Sequence, residues 1–437
     1  MEKEDKFDVA IIGAGPAGIM AAGTAARQGL RVVLIEKNSA PGKKLLLTGN
    51  GRCNLTNAEF NLRELVKNYN NGKFLFHAFS VFGPKEVINF FEQLGLKTKI
   101  ETGKRVFPKR DDAQEVLEVL TKYLADKKIN PVKSRKAGIL LKAKLFNGVK
   151  MFFNSEVVDI DCKSKKIKKL ILKRPEGCFG IEAKNYILCT GGKSYSLTGS
   201  DGFGYKLAEK MGHTIIKPKP ALAPIIVKEE WAKKLQGISL KDVKITVFQN
   251  KEKQLQEEGE ILFTHFGISG PAVLNISGEV GNLLEKGEVK MCIDLFPLLN
   301  QEELCRGIED IFKKYTNKTA KNILSVFVPE RLSEVLLDII GLDKNKITSN
   351  MSKMERGTII KTLKNIEIIA EDILDFDQAM VTRGGISLRE IDDKTMKSRI
   401  IENLFFAGEI IDVDGKTGGF NLQMCWSTGH IAGENCK

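Results

Sequence analysis

The stretch Phe7–Gly18, FDVAIIGAGPAG, decides the fold of this 437-residue chain. Its apolar run predicts a buried strand, and the small residues of the following AGPAGIMAAGTAARQG suit a closely packed helix that ends at Gly29. The next run, RVVLIEK, predicts a second buried strand. Two strands that flank one helix within about 30 residues form a βαβ unit, so the sequence predicts a parallel sheet at its N-terminal end.

Three glycines between the first strand and the helix have the spacing of a dinucleotide-binding turn. Gly13 permits the tight turn, Gly15 lets the backbone approach a pyrophosphate, and Gly18 lets the helix pack closely on the sheet. The anion would rest on free backbone N–H groups at the helix N-terminus. Glu36 ends the second strand, where its carboxylate would accept hydrogen bonds from an adenosine ribose. FAD and NAD both use this fingerprint.

The loop that follows the second strand, GKKLLLTGNGRCNLTN (42–57), is dense in glycine, amide and basic residues. Such a loop can wrap a long polar cofactor, and Arg52 can neutralise a pyrophosphate or a flavin anion. The alternative interpretation is a surface loop rich in turn-forming residues.

Two further buried strands, YILCTGG (186–192) and NLFFAGE (403–409), lie far downstream. If they join the same sheet, the first domain is discontinuous in sequence. The segment 150–185 alternates apolar with polar residues, as an antiparallel hairpin does. Strand-like sequence continues over 216–295, and apolar residues at helical spacing follow over about 299–365. The predicted domains are a cofactor domain (1–215 and 377–437), a strand-rich insert (216–298 and 366–376) and a helical domain nested within it (299–365).

Composition limits the class of protein and its partners. Lys and Arg number 68 against 55 for Asp and Glu, a formal charge of +13 that favours phosphate-rich partners. The content of apolar residues is too high for a disordered chain, and proline is too scarce for a collagen-like one. The eight cysteines are scattered without a CxxC pair, so neither a disulfide scaffold nor a metal site is expected. With no signal peptide and no 18-residue apolar run, we expect a cytoplasmic protein without a membrane partner.

Basic residues concentrate in two stretches. One contains Lys163, Lys165, Lys166, Lys168, Lys169, Lys173 and Arg174, and the other contains Lys133, Arg135, Lys136, Lys142 and Lys144. An RNA partner requires a basic surface of this kind, whereas ordinary solvated lysines explain it equally well. The aromatic residues that interleave with basic ones in base-stacking surfaces are absent from these stretches.

The chain resembles the BaiN/YhiN-like bacterial flavoproteins over essentially its whole length. The matching segments, in order, are GKKLLLTGNGRCNLTN (42–57), KRVFP (104–108), LCTGG (188–192), GSDGFGY (199–205), GEILFTHFGISGPA (259–272), VTRGGI (381–386), FAGEIIDVDG (406–415) and GGFNLQ (418–423). The resemblance implies an FAD-dependent oxidoreductase of the α/β class. Its Rossmann-like FAD-binding domain, a parallel sheet plus a β-meander, would carry an inserted β-barrel-like domain and a nested helical domain.

The resemblance also implies roles for individual residues. Gly408 would allow close approach, Glu409 or Asp412 would bind cofactor hydroxyls, and GGFNLQ would turn its N–H groups to the flavin. The alternative for Asp412 and Asp414 is a turn-forming role. The predicted cofactor-binding residues are Gly13, Ala14, Gly15, Ala17, Gly18, Glu36, Lys37, Lys44, Thr48, Gly51, Arg52, Cys53, Asn54, Val157, Thr190, Gly191, Gly408, Glu409, Asp412, Gly419, Asn421 and Leu422. The chain departs from the family in the charged segment KRDD (109–112), which follows VFP.

A flavoprotein of this kind needs an electron donor, a proton donor and a substrate. No second GxGxxG and no CxxC occur, which excludes the chemistry of the disulfide reductases; NADH or NADPH is expected as a transient donor. Cys53, His265 and Tyr195 are candidate catalytic residues, each with a structural alternative. The resemblance implies hydride transfer to an activated C=C bond, foremost uracil C5–C6 in 23S ribosomal RNA, giving dihydrouridine. The alternatives are a small steroid-like or bile-acid-like enone, or an amine oxidase reaction.

Overall fold

The computed structural model describes residues 7–125 and 148–437. The second basic stretch of the sequence, at 133–144, therefore lies outside the described residues. The strands are β1 (Phe7–Ile12), β2 (Val32–Ile35), β3 (Thr56–Asn57), β4 (Thr98–Glu101), β5 (Arg105–Pro108), β6 (Lys150–Phe152), β7 (Glu156–Lys163), β8 (Lys166–Arg174), β9 (Gly177–Ile181), β10 (Ala183–Leu188), β11 (Ile215–Ala221), β12 (Ile225–Val227), β13 (Ser239–Gln249), β14 (Glu252–Phe263), β15 (Gly267–Ser269), β16 (Val289–Asp294), β17 (Ile366–Ile373), β18 (Val381–Ile386) and β19 (Leu404–Phe406).

The helices vary from one turn to more than four. They are α1 (Pro16–Arg27), α2 (Lys43–Leu47), α3 (Leu62–Val66), α4 (Phe76–Val81), α5 (Pro84–Gln93), α6 (Ala113–Ala125), α7 (Phe203–Lys210), α8 (Glu230–Lys234), α9 (Pro271–Leu284), α10 (Gln301–Lys314), α11 (Ala320–Leu324), α12 (Glu330–Ile339), α13 (Lys353–Lys364) and α14 (Phe420–Asn435). Among the described residues, no helix has both the length and the apolar character needed to cross a membrane.

The chain divides into two compact units, Met1–Lys219 with Met380–Lys437, and Pro220–Ala379. In the first unit a parallel sheet has the strand order β19-β10-β1-β2-β6. Strands that are far apart in sequence therefore share one sheet, as the apolar runs predicted. Strands β1, β2 and β19 and the last three residues of β10 are largely buried because helices and loops cover the sheet there, which explains their apolar runs; β6 is more exposed. The predicted Rossmann-like fold is confirmed.

Three smaller sheets complete the first unit. Strands β7, β8 and β9 form a three-stranded antiparallel meander where the sequence predicted an antiparallel hairpin over 150–185, and the two ends of that segment, in β6 and β10, join the parallel sheet instead. Strands β3, β5 and β4 form a second antiparallel sheet, and β11 pairs with β18.

The second unit is a closed barrel in the order β12-β15-β14-β13-β16-β17, with four helices inserted between its last two strands in sequence. The predicted β-barrel-like insert and the nested helical segment are both confirmed. Capping boxes at Asn300 and Ser352 start α10 and α13 because each side chain satisfies a backbone N–H in the first turn. The 14-residue helix α9 was not predicted from sequence; it begins at Pro271, and its buried face shares the core of the barrel.

Candidate functional site: a cleft at the carboxyl ends of the parallel strands

The three glycines between β1 and α1 meet three different steric requirements. Gly13 has φ +100°, and a Cβ atom there would lie 2.5 Å from the carbonyl oxygen of Cys189. A Cβ atom on Gly18 would lie 1.9 Å from the carbonyl oxygen of Gly13. Gly15 is different, because a Cβ atom there would meet no atom within 4 Å. Packing therefore requires glycine at positions 13 and 18, whereas position 15 faces open space.

That open space is a cleft beyond the carboxyl ends of β1, β2 and β10, where ligands bind in open α/β sheets. Its empty volume is about 960 Å³, counted with the solvent at its mouth. Gly15, Pro16 and Ala17 line it, and the N-terminus of α1 has no side-chain cap. The backbone N–H groups of the first helical turn are therefore available to an anion in the cleft.

The carboxylate of Glu36 lies at the base of the cleft and is 8% exposed. Its Oε2 accepts a hydrogen bond from the backbone N–H of Ala14 at 2.8 Å. Its Oε1 accepts from the backbone N–H and the side-chain amide of Asn38, at 2.8 and 2.7 Å. These bonds fix the carboxylate in place, and its Oε2 keeps a lone pair that can accept a ribose hydroxyl.

Twelve of the predicted cofactor-binding residues line this cleft: Gly13, Ala14, Gly15, Ala17, Glu36, Lys37, Lys44, Val157, Thr190, Gly191, Gly408 and Glu409. The remaining predicted residues lie outside its lining: Gly18, Thr48, Gly51, Arg52, Cys53, Asn54, Asp412, Gly419, Asn421 and Leu422. Sequence reasoning did not single out Asn38, Ser200, Asp201 or Cys425, which also line it. Ser200 and Asp201 belong to the quoted GSDGFGY segment, which was the signal available for them.

The hydroxyl of Thr190 tests whether a dinucleotide fits this cleft. Its Oγ1 atom is buried and has no hydrogen-bond partner among the described residues. A Cβ atom on Gly204 would lie 1.9 Å from that oxygen, so glycine at 204 keeps the space beside it free. Since a buried hydroxyl without a partner costs free energy, a polar ligand group beside Thr190 would remove that cost. The cleft's size, its uncapped helix end and this hydroxyl fit a dinucleotide cofactor.

An ion pair lies inside the cleft. Lys44 Nζ is 2.8 Å from Glu409 Oε2, and both side chains are at most one-fifth exposed. Glu409 Oε1 also accepts the backbone N–H of Thr382 at 2.8 Å. The ring centre of Tyr195 is 5.9 Å from Lys44 Nζ, which places this candidate catalytic residue beside the pair. His265 lies in the second unit, exposed in the turn between β14 and β15.

The position of Cys53 favours the structural alternative over a catalytic role. Its side chain is fully buried in the core of the first unit. Burial raises the pKa of the Cys53 thiol to about 12. A thiol that solvent does not reach and that holds its proton this tightly is a weak proton donor. Cys53 packs the loop that follows α2, and its backbone N–H donates to Thr48 O at 2.9 Å.

Arg52 also differs from the role predicted for it. Its guanidinium is 2.5 Å from Glu101 and 2.6 Å from Asp111, and it stacks over the ring of Phe107 at 4.0 Å. Lys99 contacts the same two carboxylates. The guanidinium thus has carboxylate partners at the β4–β5 hairpin, which does not support neutralisation of a pyrophosphate. The charged segment that departs from the family pattern supplies one of these partners, Asp111.

The residues around the start of α14 build a turn. Gly419 has φ +97°, and a Cβ atom there would lie 2.4 Å from Thr56 O. When the Asn54 amide is oriented with its oxygen toward Gly419, it accepts the backbone N–H of Gly419 at 3.0 Å, which occupies this N–H group within the protein. Asn421 closes the preceding turn by bonding the backbone N–H and carbonyl of Gly415, both at 2.8 Å.

The two aspartates of the IIDVDG segment have different surroundings. Asp414 is buried and forms an ion pair with Arg383 at 3.1 Å, so it is more than a turn-forming residue. Asp412 is partly buried and accepts a hydrogen bond from the amide of Asn71 at 3.2 Å. Burial, and then the negative charge of Asp414, raise the pKa of Asp412 to about 6.

The raised pKa of Asp412 predicts a pH-dependent stability. Because the folded chain holds this proton more tightly than the unfolded chain does, the wild type loses stability relative to an Asp412→Asn variant as pH rises from about 4 through about 6. Thermal melting of both proteins from pH 4 to pH 8 measures this difference. An Asp242→Asn variant at an exposed strand position is the control and should track the wild type. Parallel melting curves for wild type and Asp412→Asn would refute the assignment.

The sequence matches known proteins over nearly its whole length. A family model described as HI0933-like protein Rossmann domain matches residues 7–435. The chain is 32% identical over 428 residues to a 3-dehydro-bile acid delta(4,6)-reductase of Clostridium scindens, covering 97% of this chain and 98% of that one. It is 30% identical over 422 residues to a ribosomal RNA dihydrouridine synthase of Haemophilus influenzae, covering 96% of both.

A solved structure agrees on the fold. The open conformation of a flavocytochrome c3 fumarate reductase matches with a TM-score of 0.51 and 16% identity, covering 100% of this chain and 78% of that chain. Within residues 7–125 and 148–437, no group of three or more His, Cys, Asp or Glu side chains is arranged to hold a metal ion. The match over nearly the whole chain shows that this protein belongs to the HI0933-like family of Rossmann-fold oxidoreductases.

Proposed function

We propose that the chain binds FAD in the cleft and reduces an activated carbon–carbon double bond. The observation that carries the proposal is the open space beside the Gly15 backbone, through which a ligand can approach the uncapped N-terminus of α1. The Glu36 carboxylate lines the same cleft. When bound, FAD supplies hydride transfer, which no amino-acid side chain provides.

In this proposal, different residues of the cleft bind different parts of the cofactor. Backbone N–H groups at Gly15 and Ala17 bind the diphosphate, and Glu36 binds the adenosine ribose. The Thr190 hydroxyl offers a hydrogen bond farther along the cleft. The Lys44–Glu409 ion pair also lines the cleft, where it would offer the cofactor a hydrogen-bond donor and an acceptor.

NADH or NADPH is the proposed electron donor, binding transiently, because the sequence has one glycine fingerprint and not two. Tyr195 remains our first proton-donor candidate, supported by the 5.9 Å distance between its ring centre and Lys44 Nζ. His265 remains the second candidate, because its side chain is exposed in the turn between β14 and β15.

For the substrate we propose the uracil C5–C6 bond of large-subunit ribosomal RNA. The formal charge of +13 supports this choice, because a steroid-sized substrate does not require a basic surface. A small enone is the second candidate, favoured by the 32% identity to the bile acid reductase. Both reactions deliver hydride to the β-carbon of an α,β-unsaturated carbonyl.

Deleting the gene in its host and mapping dihydrouridine in the large-subunit RNA separates these substrates. We expect one dihydrouridine to disappear and to return when the wild-type gene is restored. A gene that carries Gly15→Val is the matched control and should not restore it. Unchanged dihydrouridine in the deletion strain would contradict the RNA substrate and favour the enone, which NADPH oxidation with an enone panel would then test.

A further inference from the structure

A hollow in the first unit is lined by exposed lysines. It lies at the amino end of strand β10, whereas the cleft lies at the carboxyl end of that strand. We call it the lysine hollow; its charged lining consists of Lys166, Lys168, Lys184, Lys397, Lys437 and Glu402. Its empty volume, counted with the solvent at its mouth as for the cleft, is about 1180 Å³. Strands β8 and β10 and the segment before β19 form its walls.

The floor of the hollow is fixed by a buried amide. Asn403 is 3% exposed, and its Oδ1 accepts the backbone N–H of Ile167 at 2.9 Å. Its Nδ2 donates to the backbone carbonyls of Ile167 and Lys184, at 3.0 and 3.1 Å. The side chain thereby joins β8, β10 and the start of β19, so the lysines project from a rigid base.

The charge in the hollow is largely uncompensated. Within the part of the chain that the structure describes, no carboxylate forms an ion pair with Lys166, Lys168 or Lys397, whereas Lys184 pairs with Asp8 at 3.0 Å. Glu402 is the one acidic side chain among the lining residues described. The same lining contains no aromatic ring, so it offers charge to phosphates and no surface for base stacking.

The position of the hollow limits what it binds. Along β10 the hollow includes Ala183–Asn185, and the cleft begins at Cys189. At about 3.3 Å per residue, Lys184 and Cys189 are about 17 Å apart along the strand. A mononucleotide does not reach from one to the other, whereas a folded polynucleotide does.

We propose that the lysine hollow binds the phosphodiester backbone of a folded RNA, while the reacting base of the same RNA enters the cleft. The inference rests on the proposed function and adds where the RNA is held. Contacts to phosphates at a distance from the reacting base supply affinity without reading sequence. A short uridine oligonucleotide lacks those contacts, so the hollow distinguishes large substrates from small ones.

A charge-reversal pair tests the docking surface. The test variant carries Lys166→Glu, Lys168→Glu and Lys397→Glu; the control carries Lys85→Glu, Lys97→Glu and Lys122→Glu, which are exposed lysines of the same unit and give the same change in net charge. The probes are an unmodified transcript of large-subunit RNA and a uridine trinucleotide. We expect the test variant to bind the transcript at least about tenfold more weakly than the control, with a shallower salt dependence.

Flavin content and trinucleotide binding should be the same in both variants. Equal affinity of test and control variants for the transcript, with flavin retained, would overturn the docking surface and leave the proposed function intact. Equal loss in both variants would show a general charge effect and would also overturn it. Absence of flavin in the wild type would instead defeat the proposed function.

Discussion

A Gly15→Val variant is expected to fold with the stability of the cofactor-free wild type and to bind FAD at least about 100-fold more weakly. A Cβ atom at position 15 would meet no protein atom within 4 Å, and Gly15 has an extended backbone conformation that valine adopts, so we expect folding to tolerate the substitution. The same side chain occupies the space through which a diphosphate reaches the N-terminus of α1. Losing two charge-assisted hydrogen bonds at about 1.5 kcal/mol or more each corresponds to roughly 100-fold in affinity.

Titration of cofactor-free protein with FAD measures the affinity, and thermal melting without FAD measures the fold. A Gly18→Ala variant is the informative comparison, because its Cβ would lie 1.9 Å from Gly13 O and should destabilise the protein itself. Wild-type FAD affinity in Gly15→Val would show that the diphosphate lies elsewhere.

A Gly429→Ala variant is expected to lose about 1–3 kcal/mol of stability, the range of overpacking in a tight core. Helix α14 packs directly on α1: a Cβ atom on Gly429 would lie 2.4 Å from Ala17 O, and one on Gly433 would lie 2.5 Å from Ala21 O. The added methyl group forces α14 away from the helix whose N-terminus lines the cleft, so FAD affinity should fall as well.

Urea unfolding of the variant beside a Gly307→Ala control measures this effect. Gly307 lies within α10, and a Cβ atom there would meet nothing within 4 Å. Alanine at 307 should therefore stabilise the helix by about 0.5–1 kcal/mol. If Gly429→Ala proved as stable as that control, direct packing of the two helix backbones would be refuted.

Local sequence predicted the part of the site that lies within one βαβ unit. Gly13, Gly15 and Gly18 are spaced along one turn, and Glu36 directly follows the adjacent strand β2, so short-range geometry determines where they lie. Strands β10 and β19 were also predictable from local sequence, because a buried parallel strand requires a continuous apolar run.

The surroundings of other residues depend on partners that are far away in sequence. The sequence around Arg52 predicts a cation that binds the cofactor, whereas in the structure its guanidinium pairs with Glu101 and Asp111. The environment of Cys53 depends on burial by other segments of the first unit's core, which no local pattern reveals. Gly429 and Gly433 are four residues apart on α14, which places both on one face of the helix. That this face packs against α1 follows only from the structure.

The measurement that tests FAD binding most directly is the cofactor content of the purified protein. Heat denaturation releases a non-covalent cofactor, which chromatography then compares with FAD, FMN and NAD standards. We expect a yellow protein that releases about one FAD per chain, or a colourless one that takes up one FAD when it is added. A correctly folded protein that contains no flavin and does not bind added FAD would contradict the assignment of the cleft.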